Sequence, residues 1–390
     1  MGKIVFFCIP AQGHINPTLG VVRELKRRGH QIWYYSYENM REKIEAAGAT
    51  FVPCDSYTPQ AMLTPEEGER LGKDLAFSIN LIVEMTLALD EAILMEMERI
   101  KPQVIVADSM AFWGKLIAQK LGIPFVSSTT TFAFNRYSAK VMKQGGAGLL
   151  TLLKAQPKIH KDLKRLRKKG YAVKSVLSII ANDNATRTLV YTAPSFQPCE
   201  ETFSDKYSFV GPLMRPILQP IAKTSQPTIF ISAGSVLTLP KEFYQNCIQA
   251  LGDGKRRVIL SVGERTELSS FGELPSHVTV CPQVDQMAAL AVSDVFITHC
   301  GMNSVNEALW YGVPMVLYPQ TAEQQGVANR VIEKGAGLAL KSASPEAVLQ
   351  AVSAVLEDPT YSYSAKALSR DFQQCGGAEQ AADVIEKQMR

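Results

Sequence analysis

At 390 residues, with 46% hydrophobic and 20% charged side chains, the chain is too long for one ordinary core and suits two domains of about 200 residues each; its composition is neither disordered nor membrane-like. A net charge of +4 is too dilute for a surface that grips a phosphate backbone, so no nucleic-acid partner is expected. Seven scattered cysteines, an odd number with no CxxC spacing, exclude a disulfide framework and a thiolate zinc site and fit a reducing, cytoplasmic setting.

The first half alternates short β-branched or aromatic runs with helical patterns, the signature of a parallel sheet with crossover helices. Strands are predicted at Lys3–Ile9, Gln31–Ser36, Thr50–Pro53, Val104–Asp108 and Phe125–Ser128. Helices are predicted at Pro17–Arg28, closed by Gly29, and at Ala111–Leu121, closed by Gly122. The apolar run Ile4–Pro10 is too short, and too soon followed by Gln12 and His14, for a signal peptide. The long helical candidate Leu75–Ile100 carries Glu84, Asp90, Glu91, Glu96 and Glu98, so no stable membrane insertion is expected.

From Gly145 to Asn184 the strand rhythm fails and inserted helices are expected. Within that stretch Lys154–Lys174 holds nine Lys or Arg against one acid, which reads as a solvated helix and loop or, more sharply, as a surface for anionic membrane. Thr188–Tyr191 resumes an extended pattern. Prolines 212, 216, 220 and 227 then mark a linker, after which Thr228–Ser232, Arg257–Val262, His277–Cys281, Val295–Thr298 and Met315–Tyr318 supply a second set of strands.

In open parallel sheets ligands bind beyond the carboxyl ends of strands. His14 follows the first strand, Asp108 ends the fourth, and Ser127–Thr131 end the fifth. A histidine backed by a carboxylate makes a general base near neutral pH; the plainer alternative is that His14 and Asp108 only cap the helices that follow. No second ligand stands at metal spacing to His14. In the second half, His299-Cys-Gly-Met-Asn-Ser runs from a strand end through glycine into a helix, a natural seat for an anion. Ser232-Ala-Gly-Ser235 makes a second small-residue turn. GxGxxG and GxxxxGK[ST] are both absent, which disfavours a dehydrogenase or an NTPase.

The stretch His277–Gln324, with Pro282-Gln283, Asp294, His299-Cys-Gly-Met-Asn-Ser, Asn306-Glu307-Ala, Gly312-Val-Pro and Glu323-Gln324, resembles the donor signature of the uridine-diphosphate glycosyltransferases, particularly bacterial macrolide and flavonoid enzymes. Gly13-His14-Ile-Asn-Pro17 and Phe209-Val-Gly-Pro212 extend the likeness to the whole chain. The resemblance implies an α/β GT-B fold of two facing Rossmann-like domains: an acceptor domain over 1–214, a linker over 215–227, a donor domain over 228–372, and a helix within 373–390 crossing back to the first domain.

It also implies an inverting transfer of a hexose, glucose first, from a UDP-sugar to a hydroxyl of a small apolar acceptor, with His14 as base and Asp108 as its partner. The donor falls to Ser235, Val280, Cys281, Gln283, His299, Gly301, Asn303, Ser304, Glu307, Glu323 and Gln324. Among these, Ser235, His299, Asn303 and Ser304 hold the diphosphate, Glu307 the ribose, and Glu323 and Gln324 the sugar. Val280 stands where many relatives have a tryptophan stacked on uracil. No cofactor beyond the donor and no metal is expected. Phe112, Trp113, Ser128, Thr129, Phe132 and Phe134, near the ends of strands, are the expected acceptor pocket. A membrane-peripheral glycolipid synthase of the same fold and a non-catalytic nucleotide-sugar binder are the rival readings.

Overall fold

The computed structural model describes residues 1–55, 74–141, 149–180, 185–234 and 239–389. The first seven strands are β1 (Lys3–Phe7), β2 (Gln31–Ser36), β3 (Thr50–Pro53), β4 (Val104–Asp108), β5 (Phe125–Thr129), β6 (Arg187–Val190) and β7 (Tyr207–Phe209). They form one sheet in the order β3-β2-β1-β4-β5-β6-β7, every pair parallel. A parallel sheet is covered on both faces and its strands read as near-continuous apolar runs. In β1, accordingly, Ile4 and Phe6 join one core cluster while Val5 and Phe7 join another.

The second sheet comprises β8 (Thr228–Ser232), β9 (Arg257–Ser261), β10 (Val278–Cys281), β11 (Val295–Thr298), β12 (Met315–Leu317) and β13 (Gly337–Ala339). Its order is β10-β9-β8-β11-β12-β13, again all parallel. Strand order reverses between β1 and β4 in the first sheet and between β8 and β11 in the second, so each half opens a crevice at the carboxyl ends of those strands. Strands β7 and β13 were not predicted. Three residues each is too short for an alternation to register.

Two helices differ from the reading of the sequence. The first runs Gln12–Arg27 rather than from Pro17, so His14 lies in its first turn and Pro17 inside it. The second starts at Phe112, with Ala111 at its N-cap and no side chain capping it. Neither His14 nor Asp108 is therefore a helix cap.

Residues 211–227 contain no helix or strand. The last helix, Gly377–Gln388, returns to the first sheet and buries Ala381, Ala382 and Ile385 in its core. Its Glu386 takes hydrogen bonds from Arg28 at 2.8 Å and His30 at 2.7 Å.

The basic stretch is largely one amphipathic helix, Leu149–Lys168. Ile159, Leu163 and Leu166 are buried beside Ile79 and Val83 of the Leu75–Ile100 helix, Asp162 accepts from Asn80 at 3.1 Å, and Lys158, Lys161 and Lys164 face solvent. Among the described residues no helix is long and apolar enough to cross a membrane.

The two halves share an apolar seam. Phe132, Ala193 and Phe196 of the first half lie in one cluster with Phe230, Met302 and Phe372 of the second. Burial of each large side chain contributes about 1.5–3 kcal/mol, against about 0.5–1.5 kcal/mol for a neutral hydrogen bond. The seam therefore carries most of the adhesion, and the polar contacts across the cleft act chiefly on alignment.

Candidate active site

The first crevice holds His14. Its Nδ1 lies 2.8 Å from Oδ2 of Asp108 and 3.1 Å from Oγ1 of Thr130. Asp108 is buried at the end of β4, and its other oxygen accepts the Met110 amide at 2.8 Å. The carboxylate is thus fixed from behind while it accepts Nδ1–H, which leaves the lone pair on Nε2. Among the described residues Nε2 makes no hydrogen bond, and the side chain retains 20% exposure. Burial pulls the His14 pKa down, but the charge and hydrogen bond of Asp108, aided by the charge of Glu323, raise it above its ordinary value. Thr130, buried just past β5, falls within the Ser127–Thr131 stretch that the sequence marks at a strand end.

The second crevice is built on β11 and the helix Met302–Trp310. Gly301 is the N-cap and provides no side chain to satisfy the first-turn amides. His299 is wedged between two glycines: a Cβ at Gly234 would stand 2.7 Å from its Cε1, and one at Gly301 2.6 Å from its Nε2. Burial pushes its imidazole down to about 4, with the Ser232 carbonyl opposing, so the ring is neutral at pH 7 and offers an N–H rather than a charge. Among the described residues its buried Nδ1 completes no well-formed hydrogen bond. Cys300, between them, takes a φ of 68°, a left-handed conformation that non-glycine residues hold only where the surroundings enforce it.

Glu307 lies one turn into that helix and is the centre of a small polar group. Gln286 Nε2 donates to its Oε2 and, at 3.3 Å, to Ser304 Oγ. Arg215, from the segment between the sheets, comes within 3.8 Å of Oε1. Burial raises the carboxyl to about 7, against the lowering by Arg215 and Gln286. Gln286 is a residue that sequence reasoning passed over.

The remaining donor candidates are placed less tightly. Val280 packs against the core of the second sheet and Cys281 is half-buried at the end of β10. Gln283 is exposed and donates to Glu264 at 2.9 Å. Gln324 accepts the Gln320 amide at 2.8 Å. Glu323, in the first turn of the Ala322–Glu333 helix, is solvent-accessible at the cleft but closely surrounded, and its carboxyl is raised by burial against the lowering influence of His14. Asn303, in the first turn of the Met302–Trp310 helix, donates to the Gly13 carbonyl at 2.8 Å. Ser235 lies outside the described residues.

The expected acceptor pocket needs correction. Trp113, Ser128, Thr129 and Phe132 are buried. Trp113 belongs to the core that holds Phe7 and Tyr35, Ser128 pairs with the Tyr191 hydroxyl at 3.0 Å, and Phe132 packs on Phe196. Phe112 leans on the cluster around Leu116 and Leu166. The exposed apolar side chains near these strand ends are Met110, Phe134 and Tyr137. Among the described residues no group of three or more His, Cys, Asp or Glu converges to hold a metal.

Residues 221–374 match the family model described as UDP-glucoronosyl and UDP-glucosyl transferase. The NDP-glycosyltransferase YjiC of Bacillus subtilis (strain 168) is 31% identical over 395 residues, covering 98% of this chain and 96% of its own. Among solved structures, the glycotransferase of kitacinnamycin superposes with a TM-score of 0.85 at 26% identity, covering 100% of this chain and 99% of its own. The calicheamicin glycosyltransferase CalG4 does so with a TM-score of 0.81 at 28%, covering 100% and 98%. With two facing parallel sheets, a crevice on each and likeness along the whole length, the chain belongs to the UDP-glycosyltransferase family and is a glycosyltransferase of the GT-B fold.

Proposed function

We propose that the protein is an inverting transferase that moves a hexose, glucose first, from a UDP-sugar to a hydroxyl of a small apolar acceptor, with His14 as general base. The observation that carries this reading is the His14–Asp108 pair, with Nε2 free at the crevice. The acceptor hydroxyl would give its proton to Nε2 as its oxygen attacks the anomeric carbon from the face opposite the diphosphate. Asp108 would stabilise the imidazolium that results. The neutral His299 and the first-turn amides after Gly301 would meet the charge developing on the leaving diphosphate. Glu307, held by Gln286, would accept from the ribose hydroxyls.

Phe134, expected from the sequence, is exposed together with Met110 and Tyr137, and these three form the proposed acceptor wall. They suit a flat aromatic or polyketide surface, and the names of the kitacinnamycin and calicheamicin relatives favour natural products of that kind. Incubation with a panel of nucleotide sugars crossed with phenolic and macrolide acceptors, read by mass spectrometry, tests the reading. A UDP-hexose should give the fastest product of one added hexose, and absence of glycoside with every UDP-sugar would refute it.

Two consequences follow for the donor side. Because His299 and helix amides take the place of a cation at the diphosphate, activity should survive excess EDTA; an absolute requirement for magnesium or manganese would sink the mechanism. In addition, Glu307→Ala should weaken the UDP-sugar and free UDP alike, whereas Gln324→Ala should weaken the UDP-sugar far more than UDP. Calorimetric titration of the two ligands separates these outcomes, and equal losses of UDP affinity in the two variants would contradict the assignment.

A further inference from the structure

Arg215 stands in a segment without helix or strand, yet its position is defined from both sides. Upstream, Gly211 donates to the Thr192 carbonyl at 3.3 Å and Gly377 donates to that of Val210 at 2.9 Å. Downstream, Asp285, the N-cap of the Gln286–Val292 helix, accepts the Leu218 and Gln219 amides at 2.8 and 3.4 Å. Between these anchors Pro212 and Pro216 stiffen the backbone, and Pro216 biases Arg215 itself toward an extended conformation. The side chain is carried to the donor half, where Arg215 and Glu307 line a small cavity together with Asn16 and Leu213.

The contact it makes there is not a pair of solvated charges. Arg215 is 45% exposed, but the Glu307 side chain retains only 16%. Their separation of 3.8 Å is too long for a hydrogen bond, so the guanidinium acts on Oε1 through its charge and leaves that oxygen's lone pairs unused, while Oε2 takes Gln286. A carboxyl that receives two ribose hydroxyls must be ionised, because protonation turns one of its oxygens into a donor. Burial works against ionisation, and a nearby cation restores it.

The other groups facing Glu307 do not replace that cation. Burial raises Asp285, but the amides it accepts outweigh this and hold it below its ordinary value, so it is anionic and pushes Glu307 up. Burial and the charges of Asp285 and Glu307 raise Tyr311, which therefore stays neutral. Gln286 and Ser304 carry no charge, nor do Asn16 and Pro17 on the facing helix. From the first half, Lys43 of the Arg41–Ala46 helix interacts with Arg215.

We infer that Arg215 is a positioning residue for the nucleotide: from the segment between the sheets it holds Glu307 as the carboxylate that accepts the ribose hydroxyls. The inference rests on the reading of Glu307 as ribose acceptor, and it gives the connection between the halves a part in donor binding.

The test is UDP affinity by calorimetry across pH for the parent, Arg215→Gln and Arg215→Lys, repeated with the dideoxy analogue of UDP, which lacks both ribose hydroxyls. Without the guanidinium the Glu307 carboxyl rises, and a group that acts only when ionised loses its contribution as pH falls through the raised pKa. Arg215→Gln should therefore match the parent at alkaline pH, which also shows its fold intact, and bind UDP more weakly as pH drops through neutrality, by up to about 10-fold for each unit the carboxyl rises. Arg215→Lys keeps a charge and should recover most of that loss. On the dideoxy analogue the parent and Arg215→Gln should be alike at every pH. A loss of equal size at all pH values and shared by the analogue would make Arg215 a direct ligand of the diphosphate or base and overturn the inference, as would no loss at any pH. Failure of the ribose reading looks different: Glu307→Gln would then bind UDP as tightly as the parent, and the parent would not distinguish UDP from its dideoxy analogue.

Discussion

His14→Ala is expected to lower turnover of an alcohol or weakly acidic phenol by about 10²- to 10⁴-fold, the usual worth of a positioned general base, while UDP affinity stays at the parent level. The separation is expected because His14 and the nucleotide ligands stand on different sheets. Asp108→Asn should cost less, since it removes the orienting partner and leaves the imidazole. The double variant should be little worse than His14→Ala, because the pair acts as a unit. An acceptor already ionised at assay pH needs no base and should be spared.

The pH profile gives an independent check. A base must be neutral to act, and the His14 pKa lies above its ordinary value because Asp108 outweighs burial. In kcat/KM on an alcohol, activity should therefore fall as the pH drops through that raised pKa. Removing the Asp108 charge leaves burial dominant, so Asp108→Asn should move this acidic limb to lower pH while reducing the plateau. His14→Ala that keeps near-normal turnover on an alcohol with normal UDP binding would make the histidine structural.

The parts of the site visible in the sequence were those made by local chain geometry. A strand ending in His299, then glycine, then a helix start is a contiguous pattern, and the structure places Gly301 at the N-cap. The His14–Asp108 pair was reachable because both follow strands, although 94 residues separate them. What failed depended on partners far along the chain. Phe132 reads as a free aromatic after β5, yet Phe196 and Phe372 complete its packing. Trp113 reads as a side chain just after a strand end, yet it packs into the core with Phe7 of β1 and Ile105 of β4.

The Pro17 error has a different cause. Proline is favoured in the first turn of a helix, whereas Pro17 stands five residues into this one. Its missing amide leaves the Gly13 carbonyl without an intrahelical donor. The bond that carbonyl accepts comes from Asn303, 290 residues away, and no local pattern announces it. Gln286 was missed similarly: its side chain acquires meaning only beside Glu307 and Ser304, which the sequence places on a later helix.

Gly301→Ala is expected to weaken UDP by about 10- to 100-fold, the cost of losing a hydrogen bond to a charged group, and to depress kcat further through poorer stabilisation of the leaving diphosphate. The backbone at 301 has φ −61°, which alanine adopts freely, so the substitution adds no strain of its own. Its effect arises from one contact: the new Cβ would stand 2.6 Å from Nε2 and 3.0 Å from Cε1 of His299. Gly234 lies against the same ring atoms, where a Cβ would itself be 2.7 Å from Cε1, so the imidazole has little room to give way. Gly234→Ala should be worse for stability, since its φ of +75° is unfavourable for any side chain. In a His299→Ala background the ring is gone, so Gly301→Ala should add little to the loss of UDP affinity. Calorimetry on the two single variants and the double variant reads this directly. Unchanged UDP affinity in Gly301→Ala, or full additivity with His299→Ala, would show that the glycine cradle does not set the position of the imidazole.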